Sequence, residues 1–538
     1  MHLLSDVIIP LILVSVSYLL CLIIGGLYRR LFPHLRYLQG PKSSHLIYGN
    51  FAEIANDFTT TIHNRWAETY GPTYRLHGAL KTTLLVTQDP KAIQHILKHS
   101  EDIYHRPEQA RFSLSRLLGN GVLVTEGDKH RMQRRVMNPA FGPVQVRALT
   151  EIFMAKSLEL RDYWMKEIQN SNDRQVIVGT GLSKMTLDVI GRAGFNYEFE
   201  SLSGGENSEL NRAFSSIFGQ RNRRPFFEFL RVQIPIFRKL PLPTNPKIKE
   251  ARGIMDRIGL ELIQDAKKMS QAEEKDGITK SRDLLSLLIK SNMNTEIPEN
   301  QRMSDEDVLA QIPTFLVAGH ETTSTSTSWG IYVLTHRKDI QNKLRQEIST
   351  VDTDFPTMDE LNSLPYLDAF VREVLRFHAP VTWVNRMAIR DDVLPLKESI
   401  VDVNGKVHTE LHVKRGQMIQ LSILAMNRDK KLWGDDAEEF KPERWEKEPE
   451  STHEIPGVWS HLLTFIGGPR ACIGWRFSVV EMKALLFTLV RAFEFDLAVP
   501  KEDILFKRGL MLPLARPGAK SLPGRHMPVI LTPVKKDN

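Results

Sequence analysis

The segment that most constrains this chain is a turn-forming loop that delivers a cysteine to the start of a long predicted helix. The loop is Phe465–Gly474, with the sequence FIGGPRACIG, and the helical pattern after it runs from Trp475 to Phe493. A helix N-terminus lowers the pKa of a thiol through its partial positive charge, and adjacent amides can donate hydrogen bonds to a thiolate. Because a lone cysteine is more often an inert buried residue, the role of Cys472 depends on the residues around it.

The neighbours of Cys472 suit a flat, negatively charged ligand. Gly468 and Gly474 permit close approach of the backbone to such a ligand, and Arg470 is a permanent cation able to pair with a carboxylate on it. The chain has only one other cysteine, Cys21, so the sequence excludes a disulfide framework and a cysteine-rich zinc site. Any special cysteine chemistry therefore falls on Cys472.

Length and composition indicate one large folded body. The chain has 538 residues, of which 42% are hydrophobic and 25% charged, and this excludes a disordered or disulfide-stapled protein. No internal repeat or low-complexity linker divides it. The net charge of +7 is spread along the chain rather than gathered into one stripe, so nucleic-acid binding is not expected.

An apolar N-terminal segment predicts a membrane anchor. From Val7 to Tyr28 about 22 residues carry no charge, and as a helix they span about 33 Å, enough to cross the hydrocarbon core once. A cleaved signal peptide is the alternative, but the sequence after the run does not resemble a cleavage site. Basic residues beyond it, Arg29 and Arg30 among them, predict a cytosolic body. Residues 226–242 mix apolar and basic side chains, which fits either an interfacial segment or ordinary core packing.

Hydrophobic periodicity predicts a mainly α-helical body with minor β-sheet. Residues 1–28 are the predicted anchor, 29–50 a hinge and 51–538 the catalytic domain. Within that domain we expect a β-hairpin over 72–87, a helix over Pro90–Lys98, a long helix from about residue 304 to His336 that Pro313 bends or interrupts, a helix over Tyr366–His378 and a short strand over Gln417–Leu424.

The cysteine loop resembles a known haem-binding signature. The pattern F-x-x-G-x-R-x-C-x-G of the cytochrome P450 family is matched by Phe465, Gly468, Arg470, Cys472 and Gly474. Further matches follow the family's order, namely AGHETT over Ala318–Thr323, the pair Glu373 and Arg376, and FKPERW over Phe440–Trp445. The resemblance covers the chain from the predicted anchor to its end. It implies the family's helix-rich triangular prism and a b-type haem whose iron takes Cys472 as its axial ligand.

The resemblance assigns a proton relay to the AGHETT segment. Gly319 would leave room at the face of a haem, and Thr322 places a hydroxyl beside the carboxylate of Glu321. Heterolytic cleavage of an O–O bond requires protons, which a positioned hydroxyl with ordered water can deliver. The alternative is a threonine bonded back to its own helix and a glutamate at the surface. An H-E-x-x-H zinc pattern that begins at His320 fails, because its fifth position is Ser324.

A buried ion network is also expected. Glu373 and Arg376 lie one helical turn apart, close enough to pair, and the resemblance adds Arg444 as a third member. An E-x-x-R pair is common on solvated helices, so its weight comes from its order among the other motifs. The implied role of this network is structural.

The resemblance further implies ligands for the haem propionates. His130 stands where relatives place a tryptophan, and an imidazole can donate a hydrogen bond as an indole does. Arg134 follows one helical turn later, and Arg386 occupies a place where many relatives have another propionate-binding arginine. For Arg386 a solvated surface arginine is the alternative.

Together with the anchor, the resemblance implies a haem-thiolate monooxygenase of the endoplasmic reticulum membrane. It would insert one oxygen atom from O₂ into a lipophilic molecule such as a terpenoid, a steroid or a fatty acid. No G-x-G-x-x-G or Walker A pattern occurs, so electrons are expected from a separate NADPH-dependent flavoprotein reductase. A haem-thiolate isomerase or peroxygenase and a non-catalytic haem sensor are the alternatives. Candidate pocket walls lie at 105–122, 214–236 and 509–512.

Overall fold

The chain folds into α-helices with small β-sheets. The structure is a computed structural model, which describes residues 13–14, 17, 33–45, 47–57, 61–79, 82–204, 209, 212–213, 231–232, 237–238, 246–276, 282–293, 298, 301–507, 512–515 and 527–534. Two compact units are present. The sheet unit draws on Met1–His105 and Trp383–Ala425, and the helical unit on Arg106–Thr382 and Met426–Asn538.

Helices dominate the described residues. In chain order they are α1 Phe51–Asn56, α2 Ile62–Tyr70, α3 Pro90–Lys98, α4 Glu108–Leu118, α5 Gly127–Met137, α6 Pro143–Gln169, α7 Val178–Phe195, α8 Pro246–Asp276, α9 Leu284–Met293, α10 Asp305–Leu309, α11 Gln311–His336, α12 Lys338–Ile348, α13 Met358–Asn362, α14 Pro365–Phe377, α15 Ile423–Asn427, α16 Lys430–Trp433 and α17 Trp475–Ala492.

The strands are short. They are β1 Thr73–His77, β2 Thr83–Thr87, β3 Tyr104–His105, β4 Gln175–Ile177, β5 Val384–Ala388, β6 Asp392–Val401, β7 Val407–Val413, β8 Met418–Leu421, β9 Phe493–Leu497, β10 Ile504–Lys507, β11 Leu512–Ala515 and β12 Pro528–Pro533. In the helical unit β12 lies between β4 and β9, and β10 pairs with β11. The predicted class, helix-rich with minor sheet, is confirmed.

A five-stranded sheet forms the centre of the sheet unit. Its order is β1-β2-β8-β5-β3, and β2 and β8 are parallel while the other neighbours are antiparallel. The predicted hairpin over 72–87 is confirmed as β1 and β2, with Thr73 opposite Thr87. The strand predicted over Gln417–Leu424 is shorter, because α15 begins at Ile423. β6 and β7 form a separate antiparallel ribbon.

Local sequence signals set several helix starts. The Asp89 side chain accepts a hydrogen bond from the Ala92 amide at 2.9 Å, and Pro90 occupies the first turn of α3. Proline suits that position because its fixed φ is helical and its missing amide has no partner there. Pro365 begins α14 in the same way. The helices predicted over Pro90–Lys98 and Tyr366–His378 are thus confirmed, the second one residue earlier.

A long and largely buried helix of the helical unit is interrupted near its start. The helix predicted from about residue 304 to His336 is divided into α10 and α11, with Ala310 between them. Pro313 lacks the amide that would bond to the Leu309 carbonyl, and its ring crowds that carbonyl. With its 26 residues α11 is about 39 Å long, and it packs against α7 and α17.

Some predicted segments lie outside the described residues. None of the described helices has an apolar stretch long enough to cross a bilayer. Of the predicted anchor Val7–Tyr28 only Leu13, Val14 and Ser17 are described. Of residues 214–242 only 231–232 and 237–238 are described. The anchor, the interfacial segment and the pocket wall at 214–236 therefore stay predictions.

Candidate active site

The cysteine loop is closed by its own backbone. Two short 3₁₀ turns, Leu463–Phe465 and Gly468–Arg470, precede α17. The Cys472 amide donates to the Phe465 carbonyl at 2.9 Å, and this bond fixes the position of the sulfur-bearing residue before the helix. The loop contains a strained residue, since Ile466 is β-branched and has φ of 56°.

Two glycines of the loop are required by its shape. A Cβ atom added at Gly467 would lie 1.9 Å from the carbonyl oxygen of Pro456, so the loop packs backbone against backbone. Gly468 has φ of 69°, a backbone conformation that residues other than glycine rarely adopt. At Gly474 an added Cβ would meet nothing closer than Phe141 at 3.8 Å, so no protein contact demands a glycine there.

The Cys472 side chain is exposed, although the protein around it desolvates its thiol. Burial raises the pKa of the Cys472 thiol, whereas the Gly474 amide and the charge of Arg134 lower it. The net pKa shift in the protein alone is upward, because burial outweighs the lowering by the amide at the helix start that the sequence predicts. A bound metal ion would deprotonate the thiol outright.

The middle of α11 borders an open space. Ala318 is exposed although the helix is buried along most of its length, and Val317, Gly319, Glu321 and Thr322 are only partly buried. The Thr323 hydroxyl lies 3.1 Å from the Ser478 hydroxyl on α17, one turn after the cysteine loop. This bond fixes the exposed turn of α11 beside the start of α17.

Gly319 lies close to a neighbouring helix. A Cβ atom at this position would lie 3.0 Å from Cδ1 of Ile190 on α7. The missing side chain therefore makes room for a neighbouring helix. The residue of this turn that leaves open space is Ala318, whose methyl group is small and exposed.

The predicted relay residues lie in this turn of α11. The Thr322 hydroxyl donates to the Ala318 carbonyl at 2.7 Å, which is the back-bonded state of a helical threonine. Glu321 is partly buried. Burial lowers the pKa of His320 to about 4, so its imidazole is neutral at physiological pH, and its Nε2 lies 3.0 Å from the Ser183 hydroxyl.

Cationic side chains surround the cysteine loop. Arg134 donates to the Ala471 carbonyl at 2.7 Å, and His130 is buried on the same helix, α5. Arg470 donates to the Thr125 carbonyl at 2.8 Å and also pairs with Glu126. The structure thus brings His130, Arg134 and Arg470 to one region of the helical unit. Arg386 lies in β5 of the sheet unit, where it is buried and donates to the Asn385 carbonyl.

The predicted ion network is assembled in the helical unit. Arg376 donates to both carboxylate oxygens of Glu373, at 2.7 and 2.8 Å, and neither side chain is exposed. Nε of Arg444 lies 3.6 Å from the same carboxylate, and this guanidinium also pairs with Asp436. Arg376 further donates to backbone carbonyls, among them Ala437 at 2.7 Å. The network therefore ties α14 to the 430–446 segment that precedes the cysteine loop.

Sequence reasoning missed Glu481 on α17. Its side chain is fully buried, and neither oxygen has a hydrogen-bond partner among the described residues. Burial raises the pKa of Glu481 well above its ordinary value, and the nearby Thr323 hydroxyl opposes this only in part. Burial therefore favours the protonated form of this carboxyl group. Glu481 is the single acidic residue in the sequence of this helix, and that was the available signal.

The arrangement fits a flat, metal-bearing ligand with acidic substituents. Cys472 offers a sulfur donor, Ala318 leaves space on α11, and Arg134 and Arg470 offer positive charge near the loop.

Similarity to known proteins extends over nearly the whole chain. The family model described as Cytochrome P450 matches residues 38–520. Cytochrome P450 monooxygenase 205 of Postia placenta is 50% identical over 510 residues, which cover 93% of each chain. Cytochrome P450 monooxygenase 128 of the same organism is 49% identical over 509 residues and 92% of each chain. Cytochrome P450 monooxygenase claO of Ampulloclitocybe clavipes is 35% identical over 530 residues and 95% of each chain.

Proposed function

This chain belongs to the cytochrome P450 family, and we propose that it is a membrane-tethered haem-thiolate monooxygenase that inserts one oxygen atom from O₂ into a lipophilic small molecule. The observation that carries this proposal is the exposed Cys472 side chain, which the closed cysteine loop holds at the start of α17. The names of the relatives, which are monooxygenases, support the reaction class.

Proteins of this family bind haem, iron protoporphyrin IX. When bound, haem supplies the redox chemistry that activates O₂. The proposed iron ligand is the Cys472 sulfur, and the proposed propionate ligands are His130, Arg134, Arg386 and Arg470. Phe465, Gly468 and Gly474 shape the loop that carries the sulfur.

The residues of the loop hold the sulfur in place. The Cys472 amide bonds to the Phe465 carbonyl and the Arg134 guanidinium bonds to the Ala471 carbonyl, so the backbone that leads into the ligand residue is fixed. The Gly474 amide and the Arg134 charge favour a thiolate over a thiol. These contacts orient the donor before the cofactor arrives.

Thr322 and Glu321 are the proposed proton relay. The Thr322 hydroxyl uses its hydrogen for the Ala318 carbonyl, so in this state the oxygen is available only as an acceptor. Helical threonines occupy two χ1 rotamers, so a rotation would release the hydroxyl toward the open space. The Glu321 carboxyl group would then supply a proton to the Thr322 hydroxyl.

The predicted anchor and the apolar side chains near the exposed turn of α11 support a lipophilic substrate. One turn before Ala318, the Phe315 ring lies 5.6 Å from Phe141 and 6.2 Å from Phe195, so an apolar wall precedes the open turn. An anchor over Val7–Tyr28 would place the site beside lipid-dissolved compounds such as terpenoids, steroids or fatty acids. We propose the endoplasmic reticulum membrane as its location and an NADPH-dependent flavoprotein reductase as its electron donor.

The test is turnover under ¹⁸O₂. The protein is incubated with reductase, NADPH and a panel of lipophilic compounds, and the products are analysed by mass spectrometry. One ¹⁸O atom in the product is expected. Product that forms without O₂ would favour the isomerase, product that forms only from peroxide would favour the peroxygenase, and spectral binding without turnover would favour the sensor.

A further inference from the structure

A second group of metal-binding side chains lies away from the sulfur of the cysteine loop. Glu448, His453 and His461 each offer one ligand atom, and these atoms lie within 4.8 Å of one another. We propose that these residues bind a first-row divalent transition-metal ion, with Zn²⁺ as the ion that the donor set suits best. Two imidazole nitrogens and a carboxylate oxygen are a common set of three protein ligands for zinc.

The carboxylate is already oriented toward one imidazole. Nδ1 of His461 lies 2.8 Å from Oε1 of Glu448, and the Thr452 hydroxyl donates to the same oxygen at 2.6 Å. Nδ1 of His461 and Oε1 of Glu448 are therefore two ligand atoms that already lie close together. An ion that binds both atoms would replace the hydrogen bond between them.

The second imidazole lies within reach. The rings of His453 and His461 have centroids 4.2 Å apart. Zinc–nitrogen bonds of about 2.0–2.1 Å would bring tetrahedral ligand atoms to about 3.3 Å from each other, so the widest separation in the cluster would shorten by up to about 1.5 Å. His453 is exposed on the short turn Glu450–Glu454, so its side chain can make this movement. The acidic residues of that turn favour a cation.

The turn that presents His461 is strained. Ser460 and His461 have φ of 49° and 47°, and they connect Trp459 to Leu462, which form an isolated β-bridge. Two consecutive left-handed residues other than glycine are uncommon, and such conformations concentrate at functional sites. The turn holds the His461 imidazole against Glu448.

Metal binding at this cluster would clamp the segment that packs on the cysteine loop. The Val458 amide donates to the Ile466 carbonyl at 2.9 Å, and the Trp459 ring lies 5.7 Å from Phe465. This proposal does not depend on the proposed function, because none of its ligands belongs to the cysteine site.

The test is calorimetric titration of the full-length holoprotein with Zn²⁺, in a non-coordinating buffer and without a polyhistidine tag. One Zn²⁺ per chain is expected. His461→Gln and Glu448→Gln should weaken binding at least about tenfold. His412→Gln removes an exposed histidine of β7 and is the matched control, which should bind as the wild type does. Absorption at the zinc edge, which is separate from the iron edge, should show imidazole nitrogens.

A folding defect in His461→Gln is controlled by His453→Gln. His453 is exposed and its loss leaves the Glu448–His461 bond in place, so this variant should fold normally and still bind zinc at least about tenfold more weakly. Equal zinc affinity in the wild type, His453→Gln and His412→Gln would indicate an adventitious ion only and would overturn the proposal. Absence of saturable binding to the wild type would overturn it as well.

Discussion

At the residue scale, the Thr322 hydroxyl has one hydrogen and two competing uses for it. In the structure the hydrogen goes to the Ala318 carbonyl, one turn back on α11. That bond gives the hydroxyl hydrogen an acceptor within its own helix, so no further acceptor is required. A role in proton delivery therefore depends on release of this bond during turnover, and a side-chain deletion tests that role without a charge change.

We expect Thr322→Ala to bind haem normally and to divert reducing equivalents into hydrogen peroxide. Product formed per NADPH should fall at least about tenfold, because a positioned acid–base group contributes about 10²-fold or more. Thr327→Ala is the matched control, since the Thr327 hydroxyl bonds back to the Thr323 carbonyl at 2.9 Å and is buried. Equal coupling in the two variants, measured as product and peroxide per NADPH, would argue against the relay.

Glu481 makes stability depend on pH. Because burial raises its pKa above the ordinary value of 4.5, the folded chain retains a proton that the unfolded chain loses above that pH. The free energy of unfolding should therefore fall as pH rises, by up to about 1.4 kcal/mol per pH unit from this group. Glu481→Gln removes the titration, so its stability relative to the wild type should increase with pH.

Denaturant unfolding between about pH 5 and pH 7 measures this difference. Glu410→Gln, which neutralises an exposed glutamate of β7, is the control and should keep a constant offset from the wild type. Parallel pH profiles for the wild type and Glu481→Gln would show that the pKa of the buried Glu481 carboxyl group is not raised in the folded chain.

At the element scale, the cysteine loop depends on a close backbone contact. Gly467→Ala would place a methyl carbon within 1.9 Å of the Pro456 carbonyl oxygen, and a backbone atom cannot move aside as a flexible side chain can. We expect this variant to lose about 1–3 kcal/mol of stability and to retain less haem after purification. Gly253→Ala on α8 is the control, because an added Cβ there has no atom within 4 Å.

The haem-to-protein ratio and the denaturation midpoint of both glycine variants check this prediction. Unchanged haem content in Gly467→Ala would mean that the loop can shift away from Pro456 without loss of its ligand geometry. The control should gain up to about 1 kcal/mol, since alanine favours a helix over glycine.

At the scale of the whole molecule, local features were predictable and distant ones were not. Proline and cap residues set the starts of α3 and α14, and Pro313 marked the division between α10 and α11. The parallel pairing of β2 with β8 joins residues far apart in sequence, so no local pattern predicts it. The role of Gly319 depends on Ile190 of another helix, and the raised pKa of Cys472 depends on the protein packed around it.

The predicted anchor also concerns the whole molecule, because it would hold the chain in a membrane. We expect the full chain to remain in membranes after carbonate extraction, because about 20 apolar residues suffice to hold a helix in the bilayer. A chain that lacks residues 1–28 should be released by carbonate. Its retention after extraction would show that another part of the chain, such as 226–242, inserts into the membrane.

The central claim is that the Cys472 sulfur is the axial ligand of a haem iron. The most direct measurement is the absorption spectrum of the reduced carbon monoxide complex, recorded for the purified wild type and for Cys472→Ser at equal haem content. The wild type should show the red-shifted band that thiolate ligation produces, and the variant should lack it. Persistence of that band in Cys472→Ser would contradict the claim.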